Sequence, residues 1–86
     1  MTIGRNYTRT KQIKDLDKLI KQHQADIITL NRTIGIFKGI LANERNIGFK
    51  YRIEDDIQNL RLIILDYKYN LNQIKNYRKK FDTSIV

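Results

Sequence analysis

Residues 13–41 read IKDLDKLIKQHQADIITLNRTIGIFKGIL, and their spacing decides the fold. Apolar side chains return after three and then four positions: Ile13, Leu16, Ile20, Ile27, Leu30, Ile34, Phe37 and Leu41, with His23 as the single polar member. Those are successive a and d places of a heptad, which put every one of them on one stripe of a helix. Residues 53–81 carry a second series, Ile53, Ile57, Leu60, Ile64, Tyr67, Leu71, Ile74, Arg78 and Phe81, in which only Arg78 is not apolar. No stretch alternates with period two for long, and the chain contains no proline to break a helix.

Between the two series lies Asn43-Glu44-Arg45-Asn46-Ile47-Gly48. Asn and Gly tolerate the left-handed backbone that commonly ends a helix, so the reading places a turn here. It predicts one domain: helix 1 from about 8 to 42, a turn at 43–48, and helix 2 from about 48 to 81. A frayed basic arm (1–7) and a tail (82–86) flank it. A linker this short between seams of equal length folds the helices back on each other. The expected fold class is all-α, an antiparallel two-helix hairpin of coiled-coil type. Gly35 and Gly39, one turn apart in helix 1, are either weak points or a place of close helix approach.

The 86 residues include 17 Lys+Arg and 9 Asp+Glu, a net charge of +8, with neither Cys nor Trp. Without Cys there is no disulfide frame and no thiolate metal site. One His and one Ser give little from which to build a hydrolytic triad, so a binding protein is expected rather than an enzyme. No phosphate-cradling glycine motif occurs, and no cofactor or metal is expected. His23 reads as a polar spacer in the seam, and Glu54-Asp55-Asp56 as helix-pair partners near a helix start. No apolar run approaches the ~20 residues of a membrane span. The start of the chain lacks the apolar stretch of a signal peptide, so a soluble, cytoplasmic protein is expected.

The charge is uneven. Residues 1–23 and 61–86 each sum to +4, and residues 24–60 sum to zero. Folding back would gather the whole excess at the end opposite the turn. Lys11, Lys14, Lys18 and Lys21 alternate between f and b positions, a ladder ~15 Å long on the outer face. Arg61, Lys68 and Lys75 share the e position, ~10 Å apart. Such ladders suit nucleic-acid backbone phosphates, which release counterions when neutralised. The expected contacts are Arg5, Arg9, Lys11, Lys14, Lys18, Lys21, Lys75, Arg78, Lys79 and Lys80, with Tyr7 and Tyr77 stacking on bases. RNA is favoured slightly over DNA, because straight helices without a recognition-helix turn read backbone and shape.

One seam is thin for a chain of this length, and a second set of apolar side chains lies off it. Leu62, Leu65 and Tyr69 sit at f and b positions of helix 2 with Ile63 beside them, and Leu19, Ile28, Ile36 and Ile40 lie off the line in helix 1. Pairing two hairpins into a dimeric four-helix bundle would bury them, with Leu62, Ile63, Leu65 and Tyr69 as the dimer interface. The rival reading makes that face the seat for a host enzyme, in a protein-directed effector; a purely structural bundle component is a third.

In architecture such a paired hairpin is similar to the small helical-hairpin RNA-binding dimers of plasmid copy-number control, of the Rop type, although no residues align with theirs. The secreted helical hairpins with a Trp-x-Gly turn match poorly, since this turn reads Asn46-Ile47-Gly48-Phe49. In style the short, basic, Cys-free chain resembles the proteins with which bacteriophages redirect a host.

Overall fold

The computed structural model describes residues 2–83, with side chains described for residues 9–82. Two helices, α1 (Thr2–Asn43) and α2 (Ile47–Thr83), pack side by side and antiparallel. The molecule is a rod of 68 × 15 × 15 Å. At 1.5 Å of rise per residue the 42 residues of α1 account for nearly the whole length. Helix α1 begins at Thr2, so the backbone expected as an arm continues the helix. Nothing in residues 2–7 breaks it: proline is absent, and Gly4 alone is a poor helix former.

All eighteen seam residues are buried or half-buried, from Ile13 to Leu41 and from Ile53 to Phe81. The tightest packing lies in the half nearest the turn. There Ile34, Ile53, Ile57 and Ile64 form the buried centre, with Ile27, Leu30, Phe37, Leu41 and Leu60 against it. Towards the open end polar side chains enter the seam between apolar ones. His23 meets Tyr67 at 5.6 Å between ring centroids. Its Nδ1 donates to the Leu19 carbonyl at 3.0 Å, which fixes the ring within its own helix. The last seam places are filled by Arg9, Arg78 and Phe81, with Leu71 the one buried side chain beyond Ile64 among the described residues.

Because the helices run antiparallel, e positions of α1 flank e positions of α2, and g flanks g. The two sides of the ribbon therefore have separate compositions, here called the e edge and the g edge.

The reversal takes only residues 44–46. The left-handed residue expected from Asn and Gly is not there: no described residue has positive φ. Side chains do the work instead. Glu44 Oε1 accepts from the amides of Arg45 and Asn46, at 3.1 and 3.0 Å. Asn46 caps α2, its Oδ1 accepting from the Phe49 amide at 3.0 Å, and Asn43 Nδ2 donates to the Gly39 carbonyl near the end of α1. These bonds supply partners that helix termini otherwise lack.

Gly35 and Gly39 face outward, and a Cβ on either would meet nothing within 4 Å. They do not let α1 approach α2; within the hairpin they are weak points. Replacing both by Ala should raise stability by about 1 kcal/mol each in a urea titration. Asn46→Ala should lower it by about 1 kcal/mol, with unchanged helix content by circular dichroism.

Candidate nucleic-acid interface

The open end brings the two cationic segments together. Arg78 leaves the α2 seam and reaches across to α1, donating from Nε to Asp17 Oδ1 at 3.0 Å, while its Nη1 donates to Asp82 Oδ1 at 2.8 Å. Asp17 lies one turn from Lys14 and Lys21, so both helix ladders converge on this end. The hydrogen bonds that Arg78 donates, to Asp82 first and Asp17 second, hold its pKa above the ordinary value, since they favour the charged form. A base shifted upward contributes its stabilisation at every pH below its unfolded value and loses it only in strong alkali.

Arg9 is likewise in use. Its Nη2 donates to the Phe81 carbonyl, and its guanidinium sits 5.9 Å from the Phe81 ring centre. Tyr77 meets Phe81 edge-on at 5.5 Å, and Lys80 lies 6.0 Å over the Tyr77 ring. Arg9, Phe81, Tyr77 and Lys80 thus form a chain in which two rings in edge-on contact lie between two cations, and it closes the open end. Two expected phosphate contacts, Arg9 and Arg78, are half-buried and help hold the helices together. Lys11, Lys14, Lys18, Lys21, Lys75, Lys79 and Lys80 are exposed, as is half of Tyr77. Arg5 and Tyr7 lie outside the residues whose side chains are described.

A cationic feature also appears farther along the rod. On the e edge, Asn31, Ile34, Lys38, Arg61, Ile64, Leu65 and Lys68 line a shallow groove of about 390 Å³. Three cations and no carboxylate border it. Arg61 and Lys68 are visible in the sequence as part of an e-position ladder; Lys38 is not, because it comes from the other helix. Pairing e against e would have found it. On the opposite, g edge a smaller groove of about 240 Å³ is lined by Gln12, Asp15, Leu16, Leu19, Tyr77 and Phe81.

The four residues expected at a dimer interface do not share one patch. By helical geometry they spread over about 160° of α2, with Leu65 turned to the e edge and Ile63 to the g edge. Leu62 and Tyr69 point straight away from α1, more than half exposed. No helix among the described residues is long and apolar enough to cross a membrane. Comparison with known proteins supplies no template: no family model matches this chain, and no curated protein or solved structure does.

Asp17→Asn should loosen the open end alone. Hydrogen exchange is expected to accelerate for amides of residues 10–20 and 74–82, while those around Ile57 keep their protection.

Proposed function

We propose that this protein binds nucleic acid through backbone phosphates, with little sequence preference and with RNA slightly favoured over DNA. The observation that supports it best is the Arg78–Asp17 contact, which sets the two +4 segments side by side. Coulombic attraction to a polyanion grows with local charge density, so two merged cationic segments attract far more strongly than the same charges at separate ends. Lys11, Lys14, Lys18 and Lys21 track one line of phosphates, and Lys75, Lys79 and Lys80 a second. Tyr77, held by Phe81 and half-exposed, offers a ring to an unpaired base. The e-edge groove with Lys38, Arg61 and Lys68 extends the cationic track towards the middle of the rod. Arg9 and Arg78 serve as struts for this surface. The reading includes no chemical step and no cofactor, and places the protein in the cytoplasm.

The same reading takes the working unit to be a pair of hairpins forming a four-helix bundle, which would bury apolar side chains that one hairpin leaves in water. A second reading, a protein-directed effector that seats a helical face on a host enzyme, is favoured by Leu62, Leu65 and Tyr69, each at least 60% exposed. A pull-down from host lysate with and without nuclease separates the two, because a partner that survives nuclease treatment is a protein.

Gel shifts with duplex RNA, hairpin RNA and duplex DNA at two salt concentrations test the leading reading. Neutralising ~5 phosphates of a duplex should give a log–log salt slope of about −4 to −5. Changing Lys79 and Lys80 together to Glu should weaken binding about tenfold or more on all sequences alike. Unchanged affinity in that variant would remove the open end from the binding surface.

A further inference from the structure

The two edges of the hairpin have opposite character. Arg5 holds the g place one heptad before Gln12. Between residues 12 and 77 the g edge carries Gln12, Leu19, Asp26, Thr33 and Ile40 on α1, and Phe49, Asp56, Ile63, Asn70 and Tyr77 on α2. In a chain of net charge +8, none of these ten is a cation. Five are large apolar or aromatic side chains, Leu19, Ile40, Phe49, Ile63 and Tyr77, each more than 40% exposed. Three cations of the middle of the rod, Lys38, Arg61 and Lys68, stand on the other edge, and Arg32 points straight outward from α1.

A helix that packs against one neighbour needs only its a and d positions apolar. A helix facing the core of a bundle adds one flank, e or g. Leu19 and Ile40 of α1 and Phe49, Ile63 and Tyr77 of α2 stand on the same flank, with polar residues between them, so the apolar side chains missing a partner share one face of the ribbon. From Gln12 to Ile40 it runs ~42 Å, and at the ribbon's 15 Å width it projects to roughly 600 Å². A corrugated side-chain surface exceeds its flat projection, which brings it near the about 800 Å² per partner of stable complexes.

We infer that the g edge binds a second copy of this chain, head to tail, so that the two hairpins complete one four-helix core with their cationic edges outward. This rests on the paired reading above and names its surface and orientation. A second copy fits because the face matches itself. With the two-fold axis at the level of Ile63 and Asp26, heptad spacing puts Phe49 opposite the partner's Tyr77, Gln12 opposite the partner's Ile40, and Ile63 opposite its own mate. Charge sets the direction: loops at the same end would press two strongly basic ends together, whereas head to tail sets each against a neutral loop end. One feature opposes the pair, since Asp26 then faces a second Asp26 across the axis.

Sedimentation equilibrium of the full chain at ~20 µM tests it. The expected mass is twice 10.3 kDa. Ile63→Lys and Phe49→Lys should each weaken association at least about tenfold, while Leu65→Lys on the other side stays within about twofold. Asp26→Asn should tighten it roughly two- to fivefold by removing the central like charge. All four positions are at least partly exposed, and circular dichroism melts confirm that each variant folds. Spin labels on Arg45→Cys should lie more than about 40 Å apart in the pair. A single-chain mass for the unaltered protein would overturn the pairing itself. A dimer broken by Leu65→Lys but not by Ile63→Lys and Phe49→Lys would leave pairing intact and overturn this surface. Labels within about 20 Å would overturn the direction, as would looser association in Asp26→Asn its register. Gel shifts on the same variants read nucleic-acid binding independently.

Discussion

Everything in this molecule depends on a chain reversal made in three residues, Glu44, Arg45 and Asn46. Three residues lie within the roughly two to five that join antiparallel helices, which leaves the connection little slack. With Asn46 fixing the first turn of α2 and Glu44 holding the intervening amides, the register of the seam is set from one end. Ile34 then meets the isoleucines of α2, and three heptads beyond Ile57 Arg78 finds Asp17. A change in that connection would alter the core and the charge distribution together.

The rod is consequently graded from end to end. Near the turn the seam is aliphatic, tightly packed and electrically balanced. In the open half His23, Tyr67, Arg9, Arg78 and Phe81 are interspersed among Ile13, Leu16, Ile20, Leu71 and Ile74, and hydrogen bonds and ring contacts supplement looser aliphatic packing. Exposed ion pairs contribute little stability in water. The cationic half is therefore also the half held less firmly, which suits a surface that must adapt its side chains to a polyanion.

The seam was fully legible in the sequence, because heptad spacing over four or more turns has no competing explanation. So was the gathering of charge at one end, which follows from reversal and arithmetic. The turn was legible in position and not in mechanism. Asn and Gly signal a left-handed residue, yet Asn46 acts here through its side chain as a cap, and local sequence does not distinguish the two uses. Arg9 and Arg78 read as phosphate contacts because cations are ordinarily solvated. Their part in the seam emerges only once Phe81 and Asp17 are placed opposite them. The separate character of the two edges needs the antiparallel pairing, since Lys38 and Arg61 are neighbours only in the folded chain.

The reversal also bears on how the molecule assembles. Leu41 and Ile53, on either side of the turn, are twelve residues apart in the chain, whereas Arg9 and Phe81 are separated by 72. Bringing the distant pair together from an open chain costs ~1.6 kcal/mol more in loop entropy than closing the near one. The near pair also belongs to the most apolar part of the seam. Both effects point the same way, so the hairpin closes like a zip from the turn outward. The end that carries the positive charge is the last to form and the first to open.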